Sequence, residues 1–454
     1  MTDGADDRPN IVRLAELMEK SERWLSEDRI ALLFAEARVN DLRYVAKWGK
    51  WFSHDGVRWA EDTTLHAFDM ARAMCQKVVG GRDSKLAASM TSAKTVAAVT
   101  RLTMADRRIA ATAEQWDAND WLLQDLEITH DLRLGTGRAP NPLDYITKKA
   151  VCGGAPRGTP HPMWAKFLAR ITNKNGELQN FLQRWCGYCC TGFTSEHVFV
   201  FAYGTGANGK STFINTIRGI LGDYATIADM STFIASNTEK HPTELAKLMG
   251  ARLVVAQETQ KGRRWDETKI KALTGGDKIT ARFMRCDFFD YVPAFKLWIS
   301  GNHKPRLTSV DEAIRRRLLL VPFAVQIPAS ERDKDLADKL KAEWPAILRW
   351  ALDGCLEWQR TGLAPPAIVL DATEDYFAEQ DNLRQWLEDC TQDGGEFAFT
   401  RTLDLFASWK KWTEDRNTKP GSEQAFSTAL VDKSFVKGRN KSGQQGFRRL
   451  TIKP

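Results

Sequence analysis

Between residue 197 and about residue 323, short apolar runs of strand length alternate with segments whose apolar residues recur at helical spacing. That alternation predicts a parallel α/β sheet. Residues 198–202 read as a buried strand, and Phe213, Ile214, Ile217, Ile220 and Leu221 fall on one face of a helix that should stop at Gly222. Residues 252–258, 295–302 and 318–323 supply three further strands, and residues 163–190 upstream are predicted helical. The pattern nearer the N-terminus is mixed. Residues 51–59 read as a hairpin turning at Asp55-Gly56. Leu65, Phe68, Ala71, Met74, Cys75 and Val78 lie at helical spacing, residues 92–111 read as further helix, and residues 131–137 read as a turn between short strands.

Clusters of helix breakers at 153–162 and 362–366 divide the chain. The expected organisation is a polar arm (1–34), a mixed α+β domain (35–162), an α/β domain (163–362) and a C-terminal region (367–454). Within the α/β domain, a helical collar (163–195) precedes the core (196–345).

A hydrophobic content of 43% and a charged content of 27% suit a globular protein with packed cores. The net charge of +7 permits a polyanionic partner without demanding one. No apolar run reaches the roughly 20 residues needed to cross a bilayer, so no membrane partner is expected. The first residues are acidic and polar, unlike a signal or transit peptide, which leads to an expected cytoplasmic location. The Cys186-Gly-Tyr-Cys189-Cys190 segment has no second pair at zinc spacing and sits among Phe181, Leu182 and Trp185, so buried thiols are expected.

The chemistry begins at Gly204-Thr205-Gly206-Ala207-Asn208-Gly209-Lys210-Ser211-Thr212, which satisfies G-x-x-x-x-G-K-[ST] between a strand and a helix. Glycines let successive N–H groups face a phosphate, and the helix N-terminus adds partial positive charge. Lys210 can reach the β- and γ-phosphates of ATP, and the Ser211 hydroxyl can hold Mg²⁺. Downstream, one strand ends at Glu258, where a motor ATPase keeps the carboxylate that polarises attacking water. Another ends at Asn302, an amide able to bind that water or the γ-phosphate. Arg315, Arg316 and Arg317 precede the last strand. One of them is a candidate arginine finger acting on a neighbouring subunit, Arg317 first and Arg316 second.

These motifs, in the order Gly-Thr-Gly-Ala-Asn-Gly-Lys-Ser, Ala-Gln-Glu-Thr, Leu-Thr-Gly-Gly-Asp, Ser-Gly-Asn-His-Lys-Pro and Asp-Glu-Ala-Ile-Arg-Arg-Arg, resemble the phage and plasmid primase–helicase family, superfamily 3 of the AAA+ class. The resemblance spans roughly residues 35–365. It implies an AAA+ P-loop motor with a helicase-associated domain at 35–162, the Walker A pair Lys210 and Ser211, the Walker B acid Glu258, the sensor Asn302 and a finger at Arg316 or Arg317. It also implies a homo-oligomeric ring, a hexamer, that moves 3′ to 5′ on single-stranded DNA and opens forked DNA; whether a separate primase or initiator joins it as a partner stays open. One departure is Gln257, where such motors commonly carry a second acid. Glutamine cannot balance Mg²⁺ charge, which shifts that burden to Ser211, phosphates and water.

Residues 275–287 alternate so that Lys278, Thr280 and Arg282 share a face, a ribbon suited to tracking phosphates together with Arg285. Its alternative reading is a charged ribbon edge. The C-terminal region reads as helices at 402–416 and 422–433, then strands around a Gly-rich turn bearing Lys437, Arg439 and Lys441, in the manner of a winged helix. Its alternative is a solvated basic tail. Trp386, Trp409 and Trp412 are expected in its core. Two rival functions stay open: a bifunctional primase–helicase, and an ATPase scaffold stimulated by nucleic acid that does not unwind it.

Overall fold

The structure, a computed structural model, describes residues 26–80, 84–235, 243–258, 264–307, 311–416, 418, 420–440 and 442–453. Helix α1 (Glu27–Ala37) starts at Ser26, whose hydroxyl accepts the Arg29 N–H. It buries Ile30 and Phe34 in a core completed by later helices, so residues 27–34, expected in the polar arm, belong to the packed domain. Strands β1 (Leu42–Val45), β2 (Lys50–His54) and β3 (Trp59–Glu61) form an antiparallel meander that turns at Gly56, where φ is +93°. Helix α2 (His66–Val79) buries Ala67, Ala71, Met74, Cys75 and Val78. Leu65 and Phe68, expected on that face, point outward, because Leu65 caps the helix in a left-handed conformation and Phe68 flanks the stripe.

After α3 (Ser84–Met90), helix α4 (Ala93–Thr103) is shorter than the expected 92–111. A turn in which Asp106 accepts the Arg108 N–H and side chain ends the helical course, and β4 (Ala110–Ala111) joins β1 in parallel. A second meander, β5 (Leu122–Gln124), β6 (Thr129–Asp131) and β7 (Thr136–Arg138), shares a core with the α/β domain through Leu123 and Leu132. The segment expected as a linker is irregular but docked: Val151 N–H bonds to Ile220 O, Gly154 N–H to Asp125, and Ala155 N–H to Pro345 O.

Helices α5 (Pro162–Ile171) and α6 (Gly176–Cys189) form the collar, with Cys186, Cys189 and Cys190 buried as expected. The central sheet contains β8 (Phe199–Tyr203), β9 (Ala225–Ile227), β10 (Leu253–Glu258), β13 (Lys296–Gly301) and β14 (Leu318–Pro322). All neighbours pair in parallel, in the spatial order β14-β8-β13-β10-β9. Side chains alternate between two apolar layers. Val200, Ala202, Val255, Trp298 and Val321 face the collar, while Phe201, Val254, Ala256, Ile299 and Leu320 face the opposite core. Covering both faces is what makes these strands read as nearly continuous apolar runs.

Helix α7 (Lys210–Leu221) follows β8 and is capped by Gly222. Beyond it come α8 (Thr243–Ala246), α9 (Glu267–Gly275), the antiparallel hairpin of β11 (Ile279–Arg282) and β12 (Phe288–Tyr291), α10 (Glu312–Arg315) and α11 (Leu336–Lys341). Helix α12 (Trp344–Thr361) packs on α6 with backbones in contact. A Cβ on Gly187 would sit 2.0 Å from Cys355 N, and one on Gly354 would sit 2.2 Å from Gln183 O.

Helix α13 (Ala367–Gln380) packs on β14 and leads into α14 (Asn382–Cys390), which Asp381 caps. Next come β15 (Thr391–Asp393), β16 (Phe399–Arg401), α15 (Thr402–Asp415), α16 (Glu423–Asp432), β17 (Lys437–Arg439), β18 (Gln445–Arg448) and β19 (Leu450–Ile452). β16, β18 and β17 form one antiparallel sheet, and Trp386, Trp409 and Trp412 occupy the core beneath it. Among the described residues no helix is long and apolar enough to cross a membrane.

The glycine contact between α6 and α12 generates a stability prediction. Gly187→Ala should lower the thermal unfolding midpoint, with a cost of about 1–3 kcal/mol or more from overpacking. Helix propensity alone would favour alanine by about 1 kcal/mol, so an unchanged or raised midpoint would refute the close approach.

Candidate functional site

The carboxyl ends of β8, β13 and β10 lie level with one another, since Tyr203 pairs with Gly301 and Gly301 with Glu258. Open parallel sheets place ligands at that edge. The loop after β8 needs left-handed backbone at Gly206 (φ +103°), Ala207 (+50°) and Gly209 (+83°). It is anchored on both sides. The Asn208 amide donates to Phe323 O at 3.1 Å, and Ile327 N–H donates to Ala207 O at 2.8 Å. A Cβ on Gly204 would lie 2.3 Å from Phe323 O, and one on Gly209 would lie 2.3 Å from Ile171 of the collar. Gly204 and Asn208 are buried, whereas Thr205, Ala207 and the Ser211 hydroxyl side face solvent, with Thr212 half-buried beside them.

Helix α7 is fixed beneath this loop by Phe213. Its ring stacks on Trp164 of α5 at 5.5 Å and 15°, and lies 5.4 Å from Trp298 of β13. Lys210, only 6% exposed, turns its ammonium toward Gly204 O at 2.6 Å and Asn302 Oδ1 at 3.4 Å. Burial pushes its pKa down to about 8. The structure thus brings together Gly204–Thr212, Lys210 and Asn302 of the expected residues. The backbone of Glu258 ends the adjoining strand, and Gln257 beside it is exposed.

The arginines lie at the opposite edge. Phe199 N–H bonds to Arg317 O, so these residues adjoin the start of β8, and the five residues of that strand separate them from the loop, a span of roughly 16 Å. Arg315 pairs with Glu374 at 2.8 Å and covers the Phe377 ring. Arg317 turns back to Ala313 O at 2.8 Å, and burial together with Arg316 lowers its pKa. Arg316 is exposed; its backbone N–H bonds to Glu312 O, while its side chain makes no hydrogen bond or ion pair among the described residues.

The hairpin places Lys278, Thr280 and Arg282 outward and Ile279 and Ala281 inward, as the alternation predicts, but Phe283, which the same alternation puts inward, is exposed because it lies beyond the end of β11 in the turn. Its outer face is less basic than that pattern suggested, because register brings residues of β12 onto it. Thr280 bonds to Asp290, and the Arg282 guanidinium lies 4.7 Å from the Phe288 ring. The turn exposes Met284 (72%), Phe288 (59%) and Phe283 (41%), with exposed Arg285 held at φ +62°. In the C-terminal region Lys437 and Arg439 are exposed on β17, while Lys441 lies outside the described residues.

Sequence reasoning missed four supporting side chains. Buried Arg252 donates to Cys190 O (2.5 Å) and Leu122 O (2.7 Å) and lies over the Tyr224 ring. Buried Lys296 donates to Thr191 O, Phe193 O (3.2 Å) and Ala294 O, and burial lowers its pKa to about 7. Both cations meet the carbonyl-rich C-terminal end of α6. Lys304 covers Tyr203 at 4.9 Å, and Tyr376 bonds to Pro305 O. Lys304 stood inside the Ser-Gly-Asn-His-Lys-Pro motif; the other three carry no local signal.

A loop of this form at the carboxyl edge of a five-stranded parallel sheet is consistent with a P-loop-like motor domain. Residues 31–173 match the D5 N terminal like family, and residues 202–317 match a family of unknown function, DUF5906. Putative helicase 022R of Frog virus 3 (isolate Goorha) is 27% identical over 271 residues, covering 54% of this chain and 27% of the viral protein. Putative helicase L207/L206 of Acanthamoeba polyphaga mimivirus is 25% identical over 273 residues, covering 56% and 28%. The chain therefore spans little more than a quarter of the length of these curated relatives. The apo structure of the NrS-1 C terminal region (305–718) aligns over 94% of this chain and 100% of its own, with a TM-score of 0.50 and 8% identity, a likeness of fold. Together these matches fit a phage and viral primase–helicase family.

The Asn208 anchor generates a prediction. Asn208→Ala leaves the Phe323 carbonyl buried without its donor, which costs about 1–3 kcal/mol. Thermal unfolding should shift down accordingly, and an unshifted midpoint would show that the loop does not depend on this bond.

Proposed function

We propose that this chain is an ATP-hydrolysing, ring-forming DNA helicase motor of replication, of the superfamily 3 AAA+ kind. The observation that carries the reading is the approach of the Lys210 ammonium to Asn302 Oδ1 across neighbouring parallel strands. Two groups suited to a γ-phosphate converge there, beside the strand that ends at Glu258. The putative helicases and the D5-type match support a helicase or primase type of replication function. In this reading the loop N–H groups cradle the phosphates of ATP, Lys210 neutralises the β- and γ-oxygens, Glu258 polarises the attacking water and Asn302 orients it. Mg²⁺ would be held by the Ser211 hydroxyl at the exposed mouth of the site, with phosphate oxygens and water completing its shell.

The distance of the arginines from their own loop supports action on a neighbouring copy, hence a closed ring such as a hexamer. Exposure favours Arg316 over Arg317, the reverse of the order expected from the sequence. DNA contact falls to the β11–β12 hairpin, where Met284 and Phe288 offer stacking surfaces and Lys278, Arg282 and Arg285 offer charge. The order helix, two strands, two helices and three strands after residue 381, with the sheet β16-β18-β17, supports a winged-helix reading of the C-terminal region. Lys437 and Arg439 would then lie on the wing side.

The primary test is unwinding of a forked duplex by the full chain, with Lys210→Ala as the inactive control. ATP hydrolysis stimulated by DNA without strand separation would favour the scaffold reading instead. Because the depressed pKa of Lys210 means that its charge is lost as pH rises through about 8, triphosphate affinity should fall from pH 7 to pH 9. Near pH 8 binding should take up a proton, readable by calorimetry in buffers of different ionisation enthalpy.

Arg316→Ala should lower turnover by about 10³-fold, the usual scale for an arginine finger. Mixing it with Lys210→Ala should restore part of the activity, since mixed neighbours rebuild intact sites; no recovery would argue against action in trans. At the hairpin, Phe288→Ala should weaken single-strand binding by about 1–3 kcal/mol with an unchanged salt slope. Arg285→Ala should instead flatten the slope of log K against log salt by about 0.7.

A further inference from the structure

We infer that Tyr376, on the helix leading to the C-terminal region, is a positioning residue that sets the Asn302 loop for hydrolysis. The inference rests on the ATPase reading above. Helix α13 presents Val369, Thr373, Tyr376 and Phe377 to the sheet, a helical stripe that buries all four. Thr373 accepts the Leu320 N–H at 2.9 Å, which fixes the helix along β14.

From that base the Tyr376 hydroxyl reaches two loops. It donates to Pro305 O, three residues beyond Asn302, and accepts from Trp265 Nε1 at 3.1 Å. Trp265 N–H in turn bonds to Arg306 O at 3.0 Å, so the loop after β13 is tied to the segment that enters α9. On its outer side the same loop is held by Lys304, whose ammonium lies 4.9 Å from the Tyr203 ring and 5.7 Å from the Tyr376 ring. Tyr203 is the last residue of β8, immediately before Gly204. The Asn302 loop is therefore clamped between the strand that carries the phosphate loop and a helix from outside the motif series.

Two residues before Tyr376, Glu374 of α13 pairs with Arg315, leaving Arg316 outward. Helix α13 thus sets both the amide facing its own loop and the arginine segment facing a neighbour. At its far end, Asp381 pairs with Lys433, just beyond α16, at 2.6 Å.

A hydroxyl that orients a loop, without touching nucleotide, should affect turnover and leave ground-state binding alone. Steady-state ATP hydrolysis by the full chain tests this with Tyr376→Phe, which removes one oxygen, and Lys304→Met, which keeps the apolar stem and lies outside the core. The expected result is a fall in kcat of about tenfold for Tyr376→Phe and several-fold for Lys304→Met, with KM for ATP within about twofold of the parent. Single-turnover rates on an Asn302→Ala background complete a double-mutant cycle. There Tyr376→Phe should add little, because the group it positions is gone.

Unchanged kcat in either soluble variant, a rise in KM that accounts for the loss, or fully multiplicative effects with Asn302→Ala would overturn the inference. Should Tyr376→Phe fail to fold, Lys304→Met with its own cycle against Asn302→Ala decides. A parent chain that hydrolyses no ATP would instead sink the ATPase reading on which the inference stands.

Discussion

The stacking of Phe213 between Trp164 and Trp298 holds the candidate site in place, because it joins three elements that are distant in sequence. Trp164 belongs to the collar, Phe213 to the helix after the phosphate loop, and Trp298 to the strand that ends at Asn302. The contact fixes the height of helix α7 under its loop and the level of β13 beside it. Aromatic pairs of this kind add about 0.5–1.5 kcal/mol beyond their buried area. Their geometric role matters more here, since a phosphate cradle made of backbone N–H groups works only when the helix start and strand ends are held in register.

Much of this was legible in the chain itself. Strands covered on both faces are apolar without interruption, so β8, β10, β13 and β14 announce themselves, and the loop needs glycine where φ is positive. Helix α7 could be placed to within a residue because Gly222 ends it. The Ser92 helix was overextended because Ala105, Ile109, Ala110 and Ala111 continue an apolar pattern through a turn made by Asp106. The arm was overextended because half of helix α1 is solvent-facing, which lends it the composition of a tail.

The remainder depends on contacts between segments far apart in the chain. Lysine at 296 and arginine at 252 read as surface charges, and only the fold supplies carbonyl groups that let them be buried. The ranking of Arg317 over Arg316 used distance to the strand, whereas the structure shows that the nearer residue spends its donors on Ala313. The basic face of the hairpin was read from one strand. Its second strand brings Asp290 and Phe288 onto the same surface, and no periodicity within β11 foretells that.

Arg252 has a consequence for how the chain can be divided. Its guanidinium draws on the Leu122 carbonyl, and the hydroxyl of Tyr224, whose ring lies beneath it, accepts the Gln124 N–H and donates to Lys148 O. A fragment beginning at residue 163 would strip one of two acceptors from a cation already inside the protein and open an apolar seam where Leu123 and Leu132 had packed. The breaker-rich stretch at 153–162 is thus a poor place to cut, although it looks like one. The two regions are dovetailed at the level of single carbonyl groups, so they stand or fall as one piece.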